Sequence, residues 1–256
     1  MIPLREQEYI QQRFSQTLEG KVKIDYFTQK PLALYLPGRE ECATCEDVRK
    51  MLEELASLSE KIQLTVHELA EARDEAKKLR VDKVPGIVVR GPMNRPLRYF
   101  GMPGGNEFPN FIEALELASK TKLELGDETS KAVKKLKEKV SIAVYITPTC
   151  PYCPGVVRAA YRLALASAHV EAAAVEIGEF PKLAQQLGVR AVPMTVINDR
   201  AAIAGALDEG ALLVAARKVL EGNASQATSN AGATTTMPLT GAPPTPSPAS
   251  GLILPR

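Results

Sequence analysis

The feature that most constrains this chain is a pair of Cys-x-x-Cys motifs, each followed at the same distance by a Val-Pro step. Cys42-Ala43-Thr44-Cys45 ends 40 residues before Pro85, and Cys150-Pro151-Tyr152-Cys153 ends 40 residues before Pro193. A shift of 108 positions superimposes every member of the first set on the second. Because four cysteines and two Val-Pro steps share this register, the sequence predicts two tandem copies of one redox unit.

The spacing of the cysteines predicts their chemistry. When a Cys-x-x-Cys joins a strand to a helix, its first sulfur lies at the helix N-terminus, where unpaired N–H groups and the helix dipole stabilise a thiolate. The thiolate attacks a disulfide, and the second cysteine resolves the mixed disulfide. We therefore expect Cys42 and Cys150 to attack and Cys45 and Cys153 to resolve.

The Val-Pro steps predict a second part of each site. Only about 5–6% of X-Pro bonds in folded proteins are cis, but the repeat favours a cis bond at Val84-Pro85 and at Val192-Pro193. Each loop would then lie beside the sulfurs and bind a partner chain by strand-like hydrogen bonds. Ordinary edge-strand prolines are the alternative.

Composition excludes several other classes of protein. The chain has 256 residues, 45% of them hydrophobic, which is enough for two domains. A net charge of +2, without a basic stripe, argues against a nucleic-acid partner. The N-terminus lacks the features of a secretion signal, and no apolar run approaches the roughly 18 residues that a membrane span needs. We expect a soluble, cytoplasmic protein, in which dithiols are usually catalytic.

The predicted elements repeat in the same order in both halves. In each half, strand–helix–strand is followed by helix–strand–strand–helix. In the N-terminal half the first predicted strands are 22–28 and 32–36. This order predicts an α/β fold of two tandem thioredoxin-like units, each with a mixed central sheet flanked by helices. We expect units at 1–122 and 123–221, and a disordered tail at 222–256, which is rich in Ala, Ser, Thr and Pro.

Other roles for the cysteines fit less well. A Cys₄ zinc ribbon places its pairs about 15–20 residues apart, whereas Cys45 and Cys150 are separated by 105 positions. A bridge across two residues closes too short a loop to stabilise much. We therefore expect no metal or organic cofactor. Glu40 and Glu41 precede the first motif, and since carboxylates disfavour a thiolate, we expect Cys42 to ionise at higher pH than Cys150.

No acid stands at the position where a thioredoxin-like strand can carry a buried one. Six residues before the leading cysteines the chain has Leu36 and Val144. Glu176 is a candidate substitute, and an ordinary strand acid is the alternative. Gly101 and Gly205 follow the predicted hairpins, where they would either admit a partner chain or form a turn.

Three features together resemble one family: the two fused units, the segment 147–154 (TPTCPYCP) with Val157-Arg158, and the loop 99–108 (YFGMPGGNEF). The family is the protein disulfide oxidoreductases, or glutaredoxin-like proteins, of thermophilic archaea and bacteria. The resemblance covers roughly residues 1–221.

The resemblance implies two thioredoxin folds, each with a reactive Cys-x-x-Cys, that reduce, oxidise or isomerise disulfides of protein substrates. It also implies a flavin-dependent thioredoxin reductase as electron donor. Between its cysteines the first motif has Ala43-Thr44, whereas the commoner motif has an aromatic residue there. Equal activity of the two sites therefore does not follow. A dedicated electron relay between a flavin reductase and a peroxidase, and a chaperone-like protein-binding module, are the alternatives.

Overall fold

The computed structural model describes residues 2–30 and 41–222. The N-terminal half contains α1 (Leu4–Thr17), β1 (Val22–Thr28), α2 (Cys45–Ser57), β2 (Ile62–Glu68), α3 (Arg73–Leu79), β3 (Gly86–Arg90), β4 (Leu97–Phe100) and α4 (Glu107–Ser119). The C-terminal half contains α5 (Asp127–Lys134), β5 (Val140–Ile146), α6 (Cys153–Ala166), β6 (Val170–Glu176), a 3₁₀ helix (Ile177–Glu179), α7 (Pro181–Leu187), β7 (Met194–Ile197), β8 (Ala201–Ala204) and α8 (Glu209–Leu220). The predicted repeat of elements is confirmed.

The two thioredoxin-like units share one mixed sheet, with strand order β2-β1-β3-β4-β6-β5-β7-β8. Within each unit the first strand pairs parallel with the second and antiparallel with the third. The units join where β4 pairs parallel with β6. Beside this junction Arg80 at the C-terminus of α3 donates a hydrogen bond to Glu171 of β6 at 2.6 Å. The sequence predicted two units but not this continuous sheet.

The pairing register places one residue of every strand in a single row across the sheet: Val66, Tyr26, Ile87, Tyr99, Ala174, Val144, Thr195 and Ile203. In this row Tyr26 of the N-terminal unit is the equivalent of Val144, and Ile87 is the equivalent of Thr195.

Counting back six residues from the leading cysteines matches Leu36 with Val144. Leu36 lies outside the described residues, and in the row the place of Val144 is taken by Tyr26. The reason is that the chain between β1 and the first motif is ten residues longer than the chain between β5 and the second motif. The equivalence by 108 positions holds for the motifs and for β2 and β3, but not for β1.

Some expectations fall outside the described residues, namely the strand at 32–36, the residue Glu40, and all but the first position of the tail at 222–256. The boundary between residues 122 and 123 stays a prediction. It lies between the end of α4 at Ser119 and the start of α5 at Asp127.

The sheet separates two apolar layers that hold the site in place. One layer buries side chains of α1, α2, α4, α6 and α8 against the sheet, and both disulfide-bearing helices belong to it. The other buries α3 residues such as Leu79 against Phe27, Val88 and Phe100. Burial of these side chains holds α2 and α6, and therefore the motifs at their starts, against the sheet. Among the described helices, none is long and apolar enough to span a bilayer.

Candidate redox site

Each Cys-x-x-Cys is closed into a disulfide at the start of a helix. The Cα atoms of Cys42 and Cys45 are 5.4 Å apart, and those of Cys150 and Cys153 are 5.5 Å apart. Cys45 is the first residue of α2, and Cys153 is the first residue of α6. The predicted placement, with the leading sulfur just before the helix, is therefore confirmed for both motifs.

At the second motif the helix start acts directly on the leading sulfur. The backbone N–H of Cys153 donates a hydrogen bond to Cys150 Sγ at 3.1 Å. An N–H directed at this atom, together with the helix dipole, stabilises negative charge on it. Once the disulfide is reduced, this geometry would favour a thiolate on Cys150.

Exposure distinguishes the two cysteines of the first pair. Cys42 is half-buried, whereas only 3% of Cys45 is exposed. In the second pair 7% of Cys150 and none of Cys153 is exposed. In each motif the leading cysteine is therefore the more exposed residue of the two.

Strand pairing places each Val-Pro step beside the C-terminal end of the first strand of its unit. Both Val84-Pro85 and Val192-Pro193 are cis, as predicted. Pro193 directly precedes Met194, which pairs with Tyr145 near the end of β5. Pro85 directly precedes Gly86, which pairs with Phe27 near the end of β1.

The structure uses the two hairpin glycines as turn residues. Gly101 N donates to Pro85 O, and Gly205 N donates to Pro193 O, each at 2.9 Å. Their φ angles are +96° and +104°, which a side chain would disfavour. At Gly101 a Cβ would also lie 2.8 Å from Cβ of Glu176. The turn interpretation is therefore supported for both positions.

The loop between β4 and α4 lies against the second motif. Asn106 N donates to Pro148 O at 2.9 Å, two residues before Cys150. Gly105 has a φ of +56°, and a Cβ on it would be 2.4 Å from Pro148 O. The sequence singled out this loop through the resemblance, and the structure shows that it connects the N-terminal unit to the second site.

The first motif has a different environment. Thr44 Oγ1 donates to Oε2 of Glu179, a residue of the C-terminal unit. Tyr26 Oη donates to the carbonyl of Cys45 at 2.6 Å. A cavity of about 80 Å³ lies beside the disulfide, and its lining includes Thr28, Gln29, Lys30, Glu41, Cys42, Cys45 and Glu46.

Glu107 is a buried acid near the second motif that the sequence reasoning missed. It begins α4, one residue after the contact with Pro148, and its side chain is completely buried. Its Oε2 accepts from Asn110 Nδ2 at 2.8 Å, whereas Oε1 has no hydrogen-bond partner among the described residues. Burial raises its pKa to about 7. Among the sequence signals, only its place in the loop 99–108 could have drawn attention to it.

Glu176 is better explained as a capping residue than as a proton acceptor. Its two carboxylate oxygens accept from the N–H groups of Gly178 and Glu179, each at 3.0 Å. Burial raises its pKa. The alternative of an ordinary strand acid is therefore supported. Across residues 2–30 and 41–222, no group of three or more His, Cys, Asp or Glu is arranged to hold a metal ion.

Two strand-to-helix disulfides, each in a unit with a cis Val-Pro step, define a thioredoxin-fold redox protein. A Thioredoxin domain model matches residues 140–216. The "Probable Thioredoxin" of Archaeoglobus fulgidus is 36% identical over 84 residues, which cover 32% of this chain and 92% of that protein. The chain belongs to the thioredoxin family.

Longer proteins match across both units. One component of the alkyl hydroperoxide reductase of Xanthomonas campestris pv. phaseoli is 28% identical over 167 residues, which cover 62% of this chain but only 28% of that protein. A solved structure of a protein disulfide oxidoreductase from Aeropyrum pernix aligns with a TM-score of 0.74 and 26% identity, covering 86% of this chain and 94% of that chain. The two-unit arrangement is therefore shared with a known disulfide oxidoreductase.

Proposed function

We propose that this protein is a thiol–disulfide oxidoreductase that reduces, oxidises or isomerises protein disulfides. The observation that carries the proposal is the hydrogen bond from Cys153 N to Cys150 Sγ at the start of α6. It prepares Cys150 as a nucleophile beside a buried partner cysteine. The first motif repeats the arrangement at α2 with Cys42 and Cys45.

Reduction of a substrate proceeds in two exchanges. The Cys150 thiolate attacks one sulfur of the substrate disulfide, which forms a mixed disulfide and releases the other substrate sulfur as a thiolate that takes up a proton. Cys153 then loses its proton and attacks Cys150 Sγ, which closes the Cys150–Cys153 disulfide and releases the second substrate thiol. The substrate gains two electrons and the dithiol loses two. The reverse sequence oxidises a dithiol substrate.

Glu107 is the proposed acceptor of the proton from Cys153. It is buried at the start of α4, beside the segment that precedes Cys150. A pKa of about 7 allows the carboxyl group to gain and lose a proton near neutral pH. Its unpaired Oε1 is available for that proton.

The cis Val-Pro loops are the proposed substrate-binding elements. The carbonyls of Pro85 and Pro193 already accept from glycine N–H groups, and proline has no N–H. Strand-like hydrogen bonds to an extended substrate would therefore involve the backbone of Val84 and Val192.

The protein's division into units, its cellular location and its electron donor are also part of this proposal. We assign residues 1–122 and 123–221 to the two units and place the protein in the cytoplasm, where a reductant regenerates the dithiols. The electron donor would be a flavin-dependent thioredoxin reductase. Similarity to a component of an alkyl hydroperoxide reductase supports a redox partner in general. It also favours, as a second candidate function, an electron relay between a flavin reductase and a peroxidase.

Insulin reduction with dithiothreitol as donor tests the proposed function. The Cys42→Ser, Cys150→Ser double variant should lose activity, and each single variant should retain the activity of the other site. Full activity in the double variant would contradict the proposal. A protein that is inactive on insulin but passes electrons from a flavin reductase to a peroxidase would instead be the relay. A variant without cysteines that still prevents aggregation of an unfolded protein would indicate a chaperone-like binder.

A further inference from the structure

A carboxylate from the C-terminal unit reaches the first redox motif. Glu179, the last residue of the 3₁₀ helix, accepts from Thr44 Oγ1 through Oε2 and from Met102 N at 2.6 Å through Oε1. Both Glu179 and Thr44 are half-buried. Thr44 lies between the two cysteines of the first motif and immediately precedes α2. Glu179 is therefore fixed by two donors, one of which belongs to the motif itself.

The internal repeat shows that this contact is specific to one site. Glu71, 108 positions before Glu179, is exposed and pairs with Lys30 at 2.7 Å. Tyr152, the counterpart of Thr44 in the second motif, is 68% exposed. The repeated sequence thus holds two equivalent carboxylates, and the structure brings the second of them to the motif of the other unit.

The carboxylate opposes the effect of the helix start. The positive end of α2 stabilises a thiolate on Cys42, whereas a negative charge held at the same end destabilises it. Other charged groups lie near this disulfide: Glu41, Glu46 and Lys30 line the adjacent cavity, and Lys30 is already paired with Glu71. Lys83, in the segment before Pro85, lies over the Phe100 ring and pairs with Asp82.

We propose that Glu179 is a positioning residue of the first redox pair, through which the C-terminal unit controls the reactivity of the N-terminal one. Its hydrogen bond holds Thr44 at the start of α2, and its charge makes Cys42 ionise at higher pH. This inference rests on the proposed function, because it assigns a regulator to one of the two exchanging pairs. It also gives a structural reason for the unequal sites that the sequence predicted from Glu40 and Glu41.

Alkylation of Cys42 with iodoacetamide tests the proposal. A full-length Cys150→Ser, Cys153→Ser protein is reduced, and its alkylation rate is followed by mass spectrometry as a function of pH. Because Cys45 is buried, the rate reports on Cys42. Glu179→Gln keeps the size of the side chain and one of its two acceptor oxygens but removes the charge. The midpoint of the pH profile should fall by about one unit, and the rate below the midpoint should rise about tenfold.

Two further variants make the outcome decisive. Glu179→Ser removes the charge with a small side chain and should move the midpoint in the same direction. Glu53→Gln, on the exposed part of α2 two turns beyond Cys45, makes the same charge change away from the motif and should leave the midpoint unchanged. An unchanged midpoint in both Glu179 variants, or an equal shift in Glu53→Gln, would overturn the proposal.

The result is independent of the insulin assay because no substrate is present. A protein that reduces insulin but shows no shift in the Glu179 variants would refute this inference alone. A shift in a protein that exchanges no disulfides with substrates would support the charge effect and refute the proposed function.

Discussion

The hydroxyl of Tyr26 donates a hydrogen bond to the carbonyl of Cys45 at 2.6 Å inside the N-terminal unit. This bond ties the central strand β1 to the start of α2. Burial raises the pKa of Tyr26 to about 12, so the phenol remains a donor at neutral pH. The C-terminal unit has Val144 in the equivalent place, so it holds its disulfide without such a bond.

Tyr26→Phe should therefore lower the free energy of unfolding by about 1 kcal/mol, the usual net value of one buried hydrogen bond. Urea unfolding measures the change. Tyr99→Phe is the control from the same row of the sheet, since its hydroxyl makes only a long 3.5 Å contact with Met102 O. Equal losses in both variants would show that the bond to Cys45 contributes nothing specific.

Glu107 should make stability fall as pH rises. Burial raises its pKa from 4.5 to about 7. Between pH 4.5 and pH 7, Glu107 therefore keeps a proton in the folded protein that it has lost in the unfolded chain. Stability is therefore unaffected below about pH 4.5, declines as pH rises toward 7, and stays lower above it. The loss in unfolding free energy is roughly 3.5 kcal/mol, at about 1.4 kcal/mol per pKa unit.

Glu107→Gln should remove this decline, which urea unfolding at pH 5 and pH 8 would reveal. The variant should be the more stable protein at pH 8, with little difference at pH 5. At the same time it should slow resolution of the mixed disulfide at the second site if Glu107 accepts the proton of Cys153. If the free energy of unfolding changed equally with pH in the wild type and in Glu107→Gln, Glu107 would not be the source of the decline.

Gly105 and Gly104 offer a matched pair of substitutions in the loop that contacts the second motif. Gly105→Ala combines a positive φ with a Cβ only 2.4 Å from Pro148 O. It should cost about 2 kcal/mol or more and reduce insulin reduction by the Cys150 site. Gly104→Ala has no contact closer than 3.9 Å and should change both quantities little. The activity is measured in a Cys42→Ser background, in which only the second site is active. Equal effects of Gly105→Ala and Gly104→Ala would refute the close approach of Gly105 to Pro148.

Thr195 carries a buried hydroxyl on the row of side chains that includes Val144. The residue is completely buried, and its Oγ1 has no hydrogen-bond partner within the described part of the chain. Thr195→Val keeps the shape and removes the unpaired group, so stability should stay equal or rise by about 1 kcal/mol. Ile87, its counterpart in the N-terminal unit, shows that an aliphatic residue is accommodated there. If urea unfolding showed a free energy of unfolding lower by more than about 1 kcal/mol, the hydroxyl of Thr195 would have a buried partner.

The repeat predicted the fold, the placement of the cysteine pairs and the cis Val-Pro steps because its signals are local. The sulfurs, the helix starts at Cys45 and Cys153, and the cis steps before Pro85 and Pro193 depend on short segments whose spacing is visible in the chain. The misplaced counterpart of Val144 shows the limit of this logic. A longer connection before the first motif changes the alignment of β1, and no local pattern shows which strand residue then lies under the motif.

Two thioredoxin-like units, with their cysteine pairs and cis Val-Pro loops, can be predicted from short segments of the sequence. Folding of the whole chain adds three features that no short segment shows: β4 and β6 merge the units into one sheet, Glu179 meets Thr44 across 135 positions, and Glu107 is buried. Strand edges pair through backbone groups that every residue carries, so the partner of an edge strand is set by the packing of whole units. Once that packing exists, it brings carboxylates that are distant in the sequence next to the segments that carry the two motifs.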